Sequence, residues 1–430
     1  AHDAVGYFDG IRARLRVPRL LLTSARAKRA LGDKAGAVED ALRAFERFES
    51  ETAELPAGET LRLAHSDELW DVVEEATRAL VETGRADEAF VLAQRGRARA
   101  LGIPYSAAQT RPATADGVLL AFTVLPDRLF TWCFTKEDTH FVDRPQDRTA
   151  LRALVRTLAQ SNQPEDERER KAWRATTREL SRLLLHPIGI CLRNKRQLHV
   201  IPDDILSLVP FAALENGESG GYLIERFDIA LRPVASRPTA VAGVQAHGGI
   251  LVVGSSLASQ SLGLPALPGV KREAMRITNQ YPRARLLVDT PVTEQTTREA
   301  FQTAAIVHVA SHAVVNEEYP QLSYVIVPGT TGAPQPLFAR EIRAFQLRAQ
   351  LVLLSACRTS DGPVMRGNGV VSLGSAFLRS GAGAVVSSLW EIPDAIAERL
   401  SPMILAAAEQ DNVVRGVSAA IRREALTRPN

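Results

Sequence analysis

The chain has 430 residues, 45% of them hydrophobic and 23% charged, which is long and apolar enough for two or three buried cores. Its formal net charge is only +3, and no Lys/Arg block is interleaved with aromatics, so charge gives no reason to expect nucleic-acid binding. Three cysteines, an odd number without metal-ligand spacing, argue for a reducing compartment, the cytoplasm, over a disulfide framework.

From 3 to 101 the sequence is rich in Ala, Leu, Glu and Arg at helical spacing, with almost no strand signal. Two segments echo each other, Leu31-Gly32-Asp33-Lys34-Ala35-Gly36-Ala37 and Thr83-Gly84-Arg85-Ala86-Asp87-Glu88-Ala89. In each, a glycine ends one helix and an alanine five positions on lets the next pack closely. Their offset (84 − 32 = 52) exceeds the roughly 34-residue tetratricopeptide period, so residues 1–101 read as an irregular array of two helical hairpins. The Arg-rich stretch Gln94-Arg95-Gly96-Arg97-Ala98-Arg99 reads as the solvated end of a helix. The chain begins Ala1-His2-Asp3, without an initiating methionine, and is expected to be a fragment of a longer protein.

A linker from Gly102-Ile103-Pro104 to Arg111-Pro112-Ala113-Thr114 leads into a second region, 115–240. Strands are expected at 118–124, 129–135 and 140–142, helices at about 147–160 and 165–185, and further strands near 198–201 and 223–231. Cys133 lies in the strand-like Phe130-Thr131-Trp132-Cys133-Phe134, and Cys191 closes an apolar stretch that starts at Leu183; both read as packing residues.

The uncharged stretch 238–270 is long enough to span a bilayer, but its six glycines and three prolines rule out a spanning helix. No signal peptide or transmembrane helix is expected, and hence no membrane. Residues 249–430 alternate strand and helix in the doubly wound manner. Strands are expected at 250–253, 285–288, 306–310, 324–327, 351–355 and 384–389. Helices are expected at 270–280, 293–304, 340–345, 370–380, 395–409 and 413–426.

Two of these strands are apolar runs that each end on a reactive side chain: Ile306-Val307-His308-Val309-Ala310-Ser311-His312 and Leu351-Val352-Leu353-Leu354-Ser355-Ala356-Cys357. Continuous Val/Ile/Leu runs mark strands covered on both faces, the habit of parallel sheets, and ligands bind beyond the carboxyl ends of such strands. A helix formed around Leu337, Ile342, Phe345 and Leu347 can cross from one to the other and leave them parallel and adjacent. His312 can then share the proton of Cys357, and the thiolate is the form that attacks a carbonyl. A cysteine ending an apolar strand is by itself a small buried hydrophobe, and it takes His312 together with the wider pattern below to turn the reading toward a nucleophile. His308 shares a strand face with His312 and reads as a hydrogen-bonded core histidine.

The pattern resembles the CHAT domain, a caspase-like branch of the cysteine peptidases found after tetratricopeptide-type helical repeats. The resemblance rests on Ile201-Pro202-Asp203-Asp204-Ile205-Leu206-Ser207-Leu208-Val209-Pro210-Phe211, Ala266-Leu267-Pro268-Gly269-Val270 with Glu273-Ala274, His308 to His312, and Leu354-Ser355-Ala356-Cys357-Arg358-Thr359. It continues through Arg366-Gly367-Asn368-Gly369, Ala376-Phe377-Leu378, Gly381-Ala382, Ser388-Leu389-Trp390 and Pro393-Asp394, and so covers the chain from about Gly117 to its end.

The implied fold is α/β: a TPR-like helical array at 1–101, an inactive caspase-like half at 115–240 and a catalytic caspase-like half at 249–430. The resemblance makes His312 and Cys357 the catalytic dyad, and the backbone N–H groups of Ala313 and Cys357 would hold the oxyanion. Trp390 would border the substrate pocket, and Glu391, Asp394 and Asp361 would make it acidic and favour Arg or Lys before the cut. Two positions depart from the commonest pattern: Ala313 stands where glycine often follows the histidine, and Asn368 where an acidic residue is common. Alanine keeps its N–H, whereas Asn368 removes a charge from that loop. The implied activity is that of a cysteine endopeptidase without metal or other cofactor, acting on a protein substrate in a bacterial signalling or defence pathway. A protein regulator docked on the helical array would move the loops 255–270 and 358–369, which leave the sheet near the dyad. The alternative is a non-catalytic scaffold that keeps the caspase-like fold.

Overall fold

A computed structural model describes residues 16–54, 59–103, 105–106, 111–112, 114–160, 166–216, 221–235, 249–356, 359–360, 362–367 and 369–426. It opens with α1 (Val17–Ala30), α2 (Lys34–Glu54), α3 (Glu59–Glu82) and α4 (Ala86–Leu101), packed in sequence as antiparallel neighbours. Gly32 (φ +87°) and Gly84 (φ +79°) close the α1/α2 and α3/α4 turns in the left-handed conformation that glycine adopts without strain.

A five-stranded sheet follows, built from β1 (Gly117–Val124), β2 (Arg128–Phe134), β3 (Thr139–Pro145), β4 (Gln197–Ile201) and β5 (Asp228–Leu231) in the order β3-β2-β1-β4-β5. β1 is antiparallel to β2 and parallel to β4. Connecting helices are α5 (Arg148–Gln160), α6 (Glu167–Leu184) and the single turns α7 (Gly189–Leu192) and α8 (Leu223–Arg226). Side chains alternate across the sheet. Val118, Leu120, Phe122 and Val124 join a core with Leu151, Val155, Leu180 and Leu184 of α5 and α6. Leu119, Ala121, Phe130, Trp132 and Phe134 join a different core with the helical array. There Phe90 of α4 lies 5.8 Å from the Trp132 ring and 4.5 Å from that of Phe134, and Trp132 Nε1 donates to the Ala86 carbonyl at 3.0 Å. The helical array is thus the second cover of this sheet.

Three expectations are corrected here. Residues 223–231 are not one strand: Tyr222 N donates to Glu225 Oε1 at 2.9 Å, which starts the turn of α8 before β5 begins. Cys133 and Cys191 are not unpaired packing residues, because β2 and α7 bring their Cα atoms to 6.5 Å and a disulfide joins them. The 94–99 stretch is not solvated along its length either: Gln94 and Arg97 are buried, and Arg97 pairs with Asp203 while donating to the Pro202 carbonyl at 2.6 Å.

The remaining strands are β6 (Ile250–Gly254), β7 (Arg285–Val288), β8 (Ile306–Ala310), β9 (Ala313–Val314), β10 (Tyr324–Pro328), β11 (Pro334–Phe338), β12 (Leu351–Ser355), β13 (Val364–Met365), β14 (Gly369–Val370) and β15 (Val385–Val386). The helices are α9 (Pro268–Gln280), α10 (Glu294–Thr303), α11 (Ala339–Arg343), α12 (Leu373–Arg379), α13 (Asp394–Gln410) and α14 (Val413–Leu426). Every pairing in the main sheet, β15-β12-β8-β6-β7, is parallel. Val307, Val309, Val352 and Leu354 pack with Phe301, Phe345 and Phe377 on one face, while Ile306, Ala310, Leu351 and Leu353 pack with Ile277, Ile404 and Leu405 on the other. The strand expected at 324–327 forms, but outside this sheet: β10 pairs antiparallel with β9 and β11 between β8 and β12. That meander shortens the expected crossover helix to the five residues of α11.

Candidate active site

β8 and β12 lie side by side and parallel, in a register that runs from Leu351 opposite Ile306 to Ser355 opposite Ala310. His312 and Cys357 each stand two residues past the last pair, so the sequence sends both off the carboxyl ends of adjacent strands. Cys357 itself lies outside the described residues, as do Arg358, Asp361 and Asn368, and so does any distance from Cys357 to His312.

His312 is half-buried and held at both ends. Its carbonyl accepts from Ile326 N of β10 at 3.0 Å and from Ser311 Oγ at 2.8 Å. Its ring Nε2 lies 2.7 Å from the Pro265 carbonyl. A carbonyl can only accept, so Nε2 carries the proton and the neutral ring keeps its lone pair on Nδ1. The segment that carries Pro265 is tied down in turn: Leu267 N donates to Ser256 O at 2.9 Å, and Ser256 N and Ser255 Oγ donate to Asp289 at 2.9 and 3.0 Å. Asp289 is consequently held below the ordinary carboxylate range: burial pushes it up, and the Ser256, Ser255 and Lys271 contacts outweigh that.

Four residues before His312 on β8, a second polar group faces α9. His308 is fully buried, with Nε2 3.1 Å from Glu273 Oε1 of α9, an ion-pair distance without hydrogen-bond geometry. Ser355, two residues before Cys357, donates to Glu273 Oε2 at 3.1 Å. Burial pushes the Glu273 carboxyl up, but His308, Ser401 and Ser355 hold it below its usual value. His308 was expected as a hydrogen-bonded core histidine, and the structure gives it a carboxylate partner instead.

On the other side of Cys357, the chain is pinned to the segment after β15. Ser388 Oγ donates to the Ala356 carbonyl at 3.1 Å, Ser388 N donates to Thr359 Oγ1 at 3.3 Å, and Ser360 N donates to the Ser388 carbonyl at 2.8 Å. Trp390 follows two residues later and is half-buried, while Glu391 is exposed. Asp394 opens α13 and accepts from Gly269 N at 3.2 Å, at the start of α9. Ala313 begins β9 opposite Val325. Pro265 and Glu273 are the contributors that were given no role from the sequence; Pro265 was marked only by its place before the Ala266–Val270 motif, and Glu273 only as part of the motif that carries the resemblance. A cavity of about 650 Å³ lies in the helical region, lined by residues such as Glu49, Arg95, Arg99 and Tyr105, and does not reach His312.

The family model described as CHAT domain matches residues 174–428, which include His312 and Cys357. Tetratricopeptide repeat protein 28 of Mus musculus is 25% identical over 265 residues, 49% of this chain, and that of Homo sapiens is 24% identical over 260. The chain spans 10% of the length of either relative. Among solved structures, the separase–securin complex of Saccharomyces cerevisiae superposes on 90% of this chain and 36% of its own, with a TM-score of 0.52 and 12% identity, a likeness of fold. Since the family model covers more than half of its residues and spans both strands that lead to the candidate dyad, this chain belongs to the CHAT domain family.

Proposed function

We propose that the chain is a cysteine endopeptidase acting through Cys357 and His312. The observation that carries this reading is the parallel register of β8 and β12, with His312 and Cys357 each two residues beyond it and the His312 ring oriented by the Pro265 carbonyl. In the first step the Cys357 thiolate adds to the scissile carbonyl carbon, and backbone N–H groups, those of Cys357 and Ala313, stabilise the oxyanion. His312, protonated when the thiolate forms, gives its proton to the leaving amine as the C–N bond breaks. Water, deprotonated by the same ring, then attacks the thioester, and the thiol leaves with the peptide acid released.

Trp390 is proposed as a wall of the pocket before the cut, with Glu391, Asp394 and Asp361 giving it acidic character. A protein substrate, a protein regulator on the helical array and a bacterial signalling or defence role belong to the same proposal. So does a cytoplasmic location; among the described residues no helix is long and apolar enough to cross a membrane. Alkylation during cell lysis followed by peptide mapping will read the compartment, since a reducing one leaves Cys133 and Cys191 as a dithiol.

The test incubates wild type, Cys357→Ala and His312→Ala with lysate of the source cell and maps new protein termini. Termini present with wild type and missing with both variants are the expected result. Identical termini with Cys357→Ala would end the peptidase reading, and loss with Cys133→Ala alone would move the nucleophile elsewhere.

A further inference from the structure

The segment that follows Cys357 does not end its contacts within the catalytic half. Its hairpin β13–β14 turns through Arg366 and Gly367, and that tip is seated on α3 of the helical array. Arg366 N donates to Asp67 Oδ1 at 3.2 Å, its Nη2 donates to the Asp67 carbonyl at 2.6 Å, and its Nη1 pairs with Asp71 and lies 3.9 Å from Glu74 Oε1. Gly367 takes φ +74°, and a Cβ there would fall 2.2 Å from Trp70 Cζ3, so the backbone lies flat against a buried indole. Asp67, Trp70, Asp71 and Glu74 stand at i, i+3, i+4 and i+7, which is one face of a helix.

That face is also joined to the other sheet. Arg148 of α5 bridges Glu74 and Asp204, and Arg152 grips Asp204 at 2.8 Å. The base of the hairpin meets the same place, since Gly369 backs onto Ser207. Burial pushes Glu74 up to about 7, and Arg148 and Arg366 keep it from rising further. Asp71 is lowered: burial raises it, but Arg366 and Arg26 outweigh burial.

We propose that Arg366 is a positioning residue: by fixing the hairpin to the Asp67–Trp70–Asp71–Glu74 face of α3, it makes the setting of the segment that leaves Cys357 depend on the helical array. A protein that docks on the array and shifts α3 therefore shifts the thiol relative to His312. This rests on the proposed dyad, and the experiment separates the two. The chain 1–430 as wild type, Arg366→Ala, His312→Ala and the exchanged pair Arg366→Asp with Asp71→Arg are compared by two readouts. One is amide hydrogen exchange across 362–370; the other is the pH midpoint of Cys357 alkylation by iodoacetamide, read by peptide mapping.

In Arg366→Ala, exchange across 362–370 is expected to rise at least tenfold and the midpoint to move toward the ordinary thiol value of about 8.5. The exchanged pair is expected to restore both in part. Asp67→Asn, which removes a partly exposed charge at the end of the face, serves as the milder variant should Arg366→Ala fail to fold. Unchanged exchange, or faster exchange with an unchanged midpoint, overturns the proposal. An unchanged midpoint in His312→Ala overturns the dyad reading alone, because the exchange arm does not involve His312.

Discussion

The His308 imidazole and the Glu273 carboxyl face each other at 3.1 Å in a place that is almost dry, their side chains 0% and 4% exposed. Removing one partner of such a pair strands the other, which costs roughly 3–5 kcal/mol, whereas replacing both by apolar groups is often near neutral. His308→Leu is accordingly expected to lower stability by about 3 kcal/mol in urea unfolding, and His308→Leu with Glu273→Leu to recover most of it. A single-variant cost below about 1 kcal/mol would mean that the pair is uncoupled. His199 of β4 makes a second prediction at this scale. Burial, reinforced by Arg232, pushes its pKa from 6.5 down to about 4, and its Nδ1 has no hydrogen-bond partner among the described residues. The unfolded chain binds a proton here that the folded chain refuses, so stability falls as pH drops from 6.5 toward 4 and levels off below. The loss is on the order of 1–3 kcal/mol, and His199→Leu is expected to flatten it in unfolding curves taken across that window. The two strands that lead to the candidate dyad were legible because each is an apolar run covered on both faces, whereas the roles of His312 and Cys357 came from the resemblance. Glu273 stands in a quoted motif but was not assigned as the partner of His308, because that partner sits on a helix 35 positions away (308 − 273) and the pairing depends on how α9 packs on the sheet.

At the scale of elements, strands with continuous Val/Ile/Leu runs were readable, and β7, β8 and β12 fall at their expected limits. The elements that escaped are short or depend on distant chain. β10 has the composition of a buried central strand, yet it pairs with β9 and β11, and which neighbour a strand selects is not written in its own residues. The Cys133–Cys191 link is likewise a product of topology, because it joins β2 to α7 across 58 positions of sequence. That link closes a loop of 58 residues, for which the chain-entropy model gives about 4 kcal/mol of stabilisation. Reduction, or Cys133→Ser with Cys191→Ser, is expected to lower the urea midpoint by an amount worth roughly 2–4 kcal/mol, and an unchanged midpoint would show that the link contributes nothing.

For the molecule as a whole, the helical array and the two sheets are expected to unfold as one unit. Leu119, Phe130, Trp132, Phe134 and Ile201 of the first sheet have the array as their cover on that face. Exposing a large apolar side chain costs about 1.5–3 kcal/mol, so uncovering five of them costs on the order of 8–15 kcal/mol, as much as the whole stability of a typical domain. Losing Arg97 would also strand Asp203, which is buried and otherwise accepts from Val124 N at 2.7 Å. A variant lacking residues 1–101 is therefore expected to aggregate or to lose cooperative unfolding, rather than to report what the array does to catalysis. The chain 1–430 should unfold in a single transition by both tryptophan fluorescence and far-UV circular dichroism, because Trp70 and Trp132 sit in the core that the two parts share. Two separated transitions, or a soluble and cooperatively folding 102–430 variant, would show that the array is a detachable module and that its contact with Arg366 is incidental.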